Sequence, residues 1–364
     1  MKSLTAAIFL CSAALVTGLL GCREEVIVTE IAPTEPEFYY RELPEASGVF
    51  RRFYSAGLTT EGLHYRGDYA KLQVRSPTDV ENCVGTFDRS PVPVGSTLTA
   101  TYEAGVIRLI PIGEGASICS DRFDYRLPLT HIDSAILIPA ELDFRHTHFV
   151  LSGRYLFFPY GLRDDPQLHV AIIEAVVGGP FEPPTVRQIK RVVVEGVTLN
   201  DFAYGHYAVP AGAVLGASGV TGTHGTFLVD TTSRVSRAAE YRITNVFAYR
   251  NEHYGLHLTP DGTRELVTTT TGARWTPIAD LGTQALRPVF TETTTGNLLA
   301  YYNDQILLVE FGPTSLRTIA LSQREVAGHH ITSVHQLDSI LYVGTLSGIF
   351  YRRYEEALRD TVPR

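Results

Sequence analysis

Short alternating runs of apolar and polar residues recur at a regular spacing through the second half of the chain. The run at 331–335 (Ile-Thr-Ser-Val-His) repeats the run at 243–247 (Ile-Thr-Asn-Val-Phe) at a distance of 88 residues. The central apolar residues of five such runs follow one another at spacings of 52, 44, 43 and 45 residues: Val150, Phe202, Val246, Val289 and Val334. A period maintained over five units indicates a repeat protein.

Each repeat unit contains several strand-length segments separated by turns. The last unit has strand-like segments at 331–337, 340–344 and 349–353, and the unit before it adds a fourth at 316–321. Four short antiparallel strands in about 40 to 50 residues are typical of a β-propeller blade. The sequence therefore predicts an all-β fold, a β-propeller of six to seven four-stranded blades, and the spacing favours seven.

An N-terminal strand is predicted to close the last blade. The last unit has only three strands of its own, and the strand-like residues 48–53 could pair with residues 349–353 as the fourth, which would leave no exposed edge. Further strand-like runs lie between residues 57 and 141. They form either two more blades or a separate small β module over residues 46–140.

The N-terminus has the features of an exported lipoprotein. An uncharged apolar stretch from Leu4 to Leu20 follows Lys2, which fits a signal peptide over residues 1–21 better than a membrane-spanning helix. The stretch ends in Leu-Leu-Gly-Cys at 19–22, which resembles the bacterial lipobox and implies that Cys22 carries a diacylglyceryl group. An ordinary signal peptide with a coincidental cysteine is the alternative. Two or three acyl chains suffice for stable membrane anchoring.

Residues 22–45 are acidic and contain prolines, so they are predicted to tether the lipid to a folded domain at 46–364. The run at 23–25 (Arg-Glu-Glu) is similar to the surface-export signal of Bacteroidetes-type lipoproteins. No Asp follows Cys22, as it does in inner-membrane lipoproteins of enterobacteria. We therefore expect the protein to be lipid-anchored to the outer membrane of the cell envelope and exposed on the cell surface or facing the periplasm.

The net charge narrows the classes of binding partner. A net charge of −8 and a pI near 5.8 argue against a nucleic-acid partner, which would require clustered basic residues.

The cysteines predict a disulfide. Once the signal peptide and the lipid account for two cysteines, Cys83 and Cys119 remain, and an oxidising compartment favours a disulfide between them. Such a bridge would stabilise the fold by roughly 3–4 kcal/mol on the chain-entropy model. Two buried free thiols are the alternative.

One segment resembles a family motif. The run at 268–278 (Thr-Thr-Thr-Thr-Gly-Ala-Arg-Trp-Thr-Pro-Ile) resembles the Asp-box turn of sialidase-like, BNR-repeat propellers, with Gly272 and Trp275 at the matching positions. Thr270 replaces the Asp of the motif and Arg274 replaces its Thr. The resemblance implies a propeller fold only, because the Asp-box is a structural turn, and no catalytic residue is carried over.

Histidines are weak candidates for a metal site. His146 and His148 are two residues apart, so both would point to one face of a strand. Other histidines could converge with them near the central channel and bind zinc or another divalent metal: His206, His329, His330 and His335. Because no metal-ligand spacing motif is present, we favour polar channel-lining histidines, and we predict neither a metal nor a cofactor.

Acidic clusters at 164–165 and 121–124 could serve glycoside hydrolysis if two carboxylates were suitably separated, although turns are their commoner role. The catalytic residues thus stay unknown. The hypothesis that fits best is a non-catalytic propeller that binds a glycan or an envelope protein. The alternative is a secreted glycan-active hydrolase or lyase on a sialidase-like propeller.

Replacing the lipidated cysteine should release the protein from membranes. We expect a Cys22→Ala protein whose signal peptide has been removed to be soluble, because the mature sequence contains no other long apolar stretch. Membrane fractionation with a high-salt wash measures this. Retention of the variant in the washed membranes would contradict the lipoprotein assignment.

Overall fold

The computed structural model describes residues 40–44, 53–59, 62–67, 70–84, 98–103, 105–111, 124–136, 149–178, 182–198, 202–218, 224–259, 263–281, 288–311 and 316–362. In chain order the strands are β1 (Arg41–Glu42), β2 (Phe53–Thr59), β3 (Gly62–Gly67), β4 (Ala70–Ser76), β5 (Asp79–Val84), β6 (Leu98–Glu103), β7 (Val106–Pro111), β8 (Tyr125–Pro128), β9 (Val150–Ser152), β10 (Tyr155–Tyr160), β11 (Gln167–Val176), β12 (Thr185–Thr198), β13 (Phe202–Val209), β14 (Gly212–Ser218), β15 (His224–Asp230), β16 (Val235–Ala239), β17 (Ile243–Tyr249), β18 (Glu252–Leu258), β19 (Arg264–Thr269), β20 (Thr276–Asp280), β21 (Val289–Glu292), β22 (Leu298–Tyr302), β23 (Gln305–Phe311), β24 (Leu316–Ala320), β25 (Ile331–Leu337), β26 (Ile340–Thr345) and β27 (Gly348–Arg353). A 3₁₀ turn covers Leu129–His131, and one short helix, α1 (Tyr354–Arg359), follows the last strand. No helix within these ranges is long and apolar enough to span a bilayer.

The described strands form seven antiparallel sheets, six of four strands and one of three. In order, blade 1 is β2-β3-β4-β5, blade 2 is β6-β7-β8, blade 3 is β9 to β12, blade 4 is β13 to β16, blade 5 is β17 to β20, blade 6 is β21 to β24, and blade 7 is β25-β26-β27-β1. The first strands of neighbouring blades contact one another, for example β25 with β2 and β13 with β17, so they lie innermost. The protein is a seven-bladed β-propeller, which confirms the prediction.

The repeat read from the sequence marks the innermost strands. All five anchors, from Val150 to Val334, lie in the first strand of blades 3 to 7. Tight turns join the strands, and some of them require a left-handed backbone. Arg250 and Asn251 between β17 and β18 both have positive φ (50° and 66°), as a two-residue hairpin of the type I′ family requires.

Apolar side chains fill the space between consecutive blades. Among the described residues, six buried clusters each combine residues of two neighbouring blades, from the junction of blades 2 and 3 round the ring to the junction of blades 7 and 1. Between blades 3 and 4, for instance, Phe157 and Val170 pack with Leu215 and Val229, and all four are at most 1% exposed. Burial of apolar surface thus joins neighbouring blades, and hydrogen bonds such as the one from Ser152 Oγ to the Val209 carbonyl add to it.

An N-terminal strand completes blade 7, but the prediction of which residues form it was wrong. The closing strand is β1, where Arg41 pairs with Tyr351 and Glu42 with Phe350. Phe53, which was expected to close blade 7, instead begins β2 in blade 1. Residues 49–52 lie outside the described residues. The closing strand therefore falls within the stretch that the sequence assigned to the tether, because a strand of two residues has no periodicity to detect.

Residues 40–43, which we call the closing strap, also bury side chains on both sides of β1. Leu43 is fully buried in the cluster between blades 7 and 1, and its N–H donates to the Ile349 carbonyl at 2.8 Å. The Tyr40 ring lies over the Arg352 guanidinium, 5.5 Å from it, and Arg352 Nη2 donates to Asp360 Oδ2 at 2.9 Å. The strap thus shields a buried ion pair as well as completing the sheet.

Removing the closing strap should destabilise the propeller. We expect a chain that starts at residue 39 to match the longer protein, and a chain that starts at residue 45 to lose about 4 kcal/mol or more, because Tyr40 and Leu43 leave buried positions. Urea unfolding measures the difference. Tyr40→Phe is the matched control, because the Tyr40 hydroxyl has no hydrogen-bond partner and its loss should cost little. Equal midpoints for the two truncated chains would exclude closure by β1.

Candidate functional site

Antiparallel order gives each blade two distinct edges. The turns after the first and third strands lie at one edge, and the turn after the second strand and the connection to the next blade lie at the other. We call the first set the hairpin face; it includes residues 153–154, 210–211, 250–251, 293–297 and 338–339. The second set is the connector face; it includes residues 161–166, 240–242, 303–304, 321–330 and 346–347.

Large apolar side chains are exposed mainly on the connector face. Of the five that the described part of the chain exposes, Leu258 (59%), Val289 (49%) and Leu346 (37%) lie at this edge of blades 5, 6 and 7. The other two, Val193 and Val362, lie on the outer rim. Sequence reasoning missed this set, although a leucine in the two-residue turn 346–347, where polar residues are usual, was a signal.

A histidine–glutamate pair lies at the connector face of blade 5. His257 Nδ1 is 3.0 Å from Glu265 Oε2, and the Tyr241 ring stacks on the imidazole with 3.7 Å between ring centroids. His257 is 7% exposed. Burial raises the pKa of Tyr241, and the neighbouring Glu265 carboxylate raises it further. Glu265 faces His257 across the β18–β19 hairpin, so knowledge of the strand register would have revealed the pair.

A second pair lies at the connector face of blade 3. His169 Nε2 is 3.0 Å from Asp165 Oδ2, and the Tyr160 ring lies 5.4 Å from the imidazole. Burial raises the pKa of Tyr160 to about 12, the Asp133 carboxylate raises it too, and Arg191 opposes them. Asp165 also accepts the Gln167 N–H at 2.9 Å, and this bond contributes most to lowering the pKa of Asp165.

A serine–histidine pair occupies the connector face of blade 7. His329 Nδ1 and Ser347 Oγ are hydrogen-bonded, which invites comparison with a nucleophile and its base. The backbone N–H groups around the serine are already used: Ser347 and Gly348 donate to Thr345 Oγ1, and Leu346 donates to the His330 carbonyl. None of these three groups is available to stabilise an oxyanion, so the pair has the hydrogen bonding of a structured turn.

His329 and His335, two of the histidines named from the sequence, are separated along the chain of blade 7. His329 precedes β25 and His335 lies within it; the four steps from Ile331 to His335 alone span about 13 Å of extended chain. Among the described residues no three His, Cys, Asp or Glu side chains are close enough to hold a metal ion. His146 and His148 lie outside those residues, so the prediction about them stays a prediction.

The cysteine predictions also stay untested. Cys83 is half-buried in β5, opposite Lys71 of β4. Its predicted disulfide partner Cys119 and the predicted lipidation site Cys22 lie outside the described residues. The disulfide and the lipid therefore remain predictions from the sequence.

The acidic clusters occupy structural positions where they are described. Asp124 accepts a hydrogen bond from Arg108 Nε at 2.6 Å and lies 3.5 Å from Arg126 Nε. Asp165 caps the turn before β11, as described above. Asp121 lies outside the described residues. Asp124 and Asp165 are thus held by arginines or by turn and histidine hydrogen bonds, whereas Asp164 is exposed.

The segment that resembles the Asp-box is the hairpin between β19 and β20. Gly272 has φ of +89°, and a Cβ there would lie 2.6 Å from Val209 Cγ2, so the turn requires glycine. Trp275 is 5% exposed and packs in the cluster between blades 4 and 5. Thr269 Oγ1 accepts the Gly272 N–H at 3.0 Å. This hairpin is therefore a packing element at the hairpin face.

Comparisons with known proteins find similar solved structures but no matching sequence family. No protein-family model and no curated protein sequence matches the chain. A chain of the mitotic checkpoint complex is similar over 86% of this chain and 93% of its own, at 7% identity and a TM-score of 0.49. The WD40 repeats of RRP9 are similar over 86% and 97%, at 10% identity and 0.49. The extracellular domain of the hybrid two component system BT4673 from B. thetaiotaomicron is similar over 87% of this chain and 40% of that chain, at 9% identity and 0.47.

Acid should destabilise the protein through His335. Burial of the imidazole lowers the pKa of His335 to about 4, although a hydrogen bond to the backbone of Ala56 opposes the shift. The unfolded chain takes up this proton near pH 6.5 and the folded chain only near pH 4, so stability is retained above pH 6.5 and lost as pH falls. We expect a loss of about 2 kcal/mol at pH 5 relative to pH 7.5.

The test compares urea unfolding of three proteins at both pH values. His335→Gln should lose less stability on acidification than the parent, and His330→Gln, which alters an exposed histidine next to the same strand, should behave as the parent does. An unchanged acid dependence in His335→Gln would show that His335 is protonated equally in both states.

Proposed function

We propose that the protein is a non-catalytic, protein-binding β-propeller lipoprotein that presents the connector face of blades 5 to 7 to its partner. The exposed Leu258, Val289 and Leu346 carry this proposal. They lie at the same edge of three consecutive blades, and large apolar residues exposed on one face of a fold are candidates for a protein-interaction surface. The fold provides a rigid support for such a surface, because every blade presents its turns from a packed sheet.

The chemistry of the exposed set favours a protein over a glycan. Glycan sites stack sugars on exposed aromatic rings, whereas the large apolar residues exposed in the described part of the chain are all leucines and valines. The aromatic run in β10, a candidate from the sequence, is turned inward: Phe157, Phe158 and Tyr160 are at most 1% exposed.

The alternative of a glycan-active hydrolase has weaker support. Hydrolysis needs two free carboxylates at a defined separation. Asp124 is held between two arginines, and Asp165 is engaged by a backbone N–H and by His169. Two of the three described carboxylates, Asp124 and Asp165, thus serve local structure, and the third, Asp164, is exposed.

The cell-envelope location is part of the proposal. Its support is the apolar leader, the lipobox-like residues 19–22 and the tether-like composition that follows. Anchoring through Cys22 would hold the propeller at the outer membrane, with the protein partner in the same compartment.

A capture experiment with matched variants tests the binding surface. Residues 40–364, immobilised, are exposed to the solubilised envelope of the producing bacterium, and bound proteins are quantified by mass spectrometry. We expect the parent and Val193→Glu, which alters an exposed valine on the outer rim, to retain the same protein. The double variant Leu258→Glu/Leu346→Glu should retain at least tenfold less of it, with little change in stability because both side chains are exposed.

Equal capture by all three proteins would exclude the connector face as the binding surface. Release of sugars from envelope polysaccharide by the parent protein would instead establish the hydrolase alternative. Unfolding midpoints for the three proteins confirm that capture reports binding and not folding.

A further inference from the structure

The outer edge of blade 3 is the longest sheet edge in the described part of the chain. β12 has 14 residues, whereas the outermost described strands of the other blades have two to six. β12 pairs with β11 on one side only. Within the described residues, positions 188–194 have no backbone hydrogen bonds other than those to β11. An edge of this kind offers a row of unpaired N–H and C=O groups to a second strand.

Two irregularities set the length of the regular part of this edge. The pairing of β12 with β11 shifts register between Val186 and Gln188, and again between Val194 and Thr198. Between these shifts, residues 188–194 pair one to one with β11. Val192 and Val194 are buried in the cluster between blades 3 and 4, which holds the run in place. The edge is therefore regular over seven residues and interrupted by bulges at both ends.

The side chains around Arg191 follow a self-complementary pattern. Ile189 and Val193 lie two residues to either side of Arg191, and both are apolar. Arg187 and Glu195 lie four residues to either side and carry opposite charges. Both are exposed, and neither forms an ion pair with another described residue. A strand with this pattern is complementary to a second copy of itself that runs in the opposite direction.

We propose that β12 pairs with β12 of a second copy of this chain, antiparallel and with the two-fold axis at Arg191. The two four-stranded sheets of blade 3 then form one continuous sheet. Ile189 of each copy lies opposite Val193 of the other, and Arg187 lies opposite Glu195. Apolar and opposite-charge pairs across strands are favourable. Pairing over the regular run adds about six to eight backbone hydrogen bonds.

Other contacts of β12 reduce the like-charge repulsion at the axis. The two Arg191 side chains face each other there, which by itself opposes pairing. Within each copy, Arg191 Nη1 lies 3.4 Å from Asp133 Oδ2, so a carboxylate offsets each of these charges. Lys190 Nζ donates to the Thr231 carbonyl of blade 4 at 3.1 Å and is thus held away from the axis. One strand from each copy makes a small interface, so we expect a weak dimer with a micromolar dissociation constant.

Sedimentation velocity of the soluble chain from residue 23, at about 1 to 200 µM, tests the dimer. We expect the mean mass to rise from monomer towards dimer with concentration. Arg187→Glu and Glu195→Arg should each raise the dissociation constant about tenfold, because like-charge pairs replace both opposite-charge pairs. The double variant Arg187→Glu/Glu195→Arg should return it to the parent value, since the exchange re-forms both pairs. Both residues are exposed, so unfolding midpoints should stay unchanged.

Cysteine cross-linking tests the register. Arg191→Cys places one thiol from each copy directly opposite the other at the axis, so mild oxidation should give a disulfide-linked dimer. The parent protein sets the background from its own cysteines. Val193→Cys is the matched control, because in this register its two thiols are four residues apart along the strands, about 13 Å, which is too far for a disulfide.

Several results would overturn the proposal: a parent that stays monomeric at every concentration, a dimer that neither charge reversal weakens, or equal cross-linking of the two cysteine variants. Protection of the β12 amides from hydrogen exchange only after envelope proteins are added would also overturn self-pairing, in favour of a strand from a different protein. None of these variants alters Leu258 or Leu346, so capture at the connector face tests the proposed function separately.

Discussion

Burial of apolar side chains between consecutive blades is the interaction on which the rest of the structure depends. Each of the six clusters takes residues from two neighbours, as Trp275 of blade 5 does when it packs with Val209 of blade 4. A single sheet therefore leaves half of every cluster unfilled and has no complete core of its own. The connector-face side chains of blades 5 to 7 are placed accurately because each of these blades packs against both neighbours.

Closure of the ring concentrates unusual chemistry in blade 7. Its fourth strand is the shortest of the described strands, and Tyr40, from the other end of the chain, shields the Arg352–Asp360 pair. The six junctions between blades consist mainly of buried apolar side chains. At the closure of blade 7, a cation, a carboxylate and an aromatic ring also hold the N-terminal strand in place. A buried ion pair contributes little net stability. Closure of the ring by β1 therefore adds less to the free energy of unfolding than the number of contacts around Arg352 suggests.

The sequence predicted the blades well and the details of the site poorly, for physical reasons. The repeat around Val246 and Val334 is visible because blades 3 to 7 each begin with a strand at a nearly constant spacing along the chain. β1 was misplaced because a two-residue strand carries no pattern, and residues 48–53 have the stronger alternation. Exposure of Leu258 and pairing of His257 with Glu265 depend on neighbours across a hairpin, which composition and spacing alone do not specify.

The pairing of β1 with β27 also has a kinetic meaning. Arg41 and Tyr351 are 310 positions apart, so this contact has one of the highest loop-closure costs in the molecule. We expect a contact of that kind to form after the barrier that limits folding, when the blades between its two ends are in place. Interactions that form late affect the unfolding rate more than the folding rate. The closing residues thus contribute chiefly to how long the finished ring persists, and hardly at all to how quickly it is made.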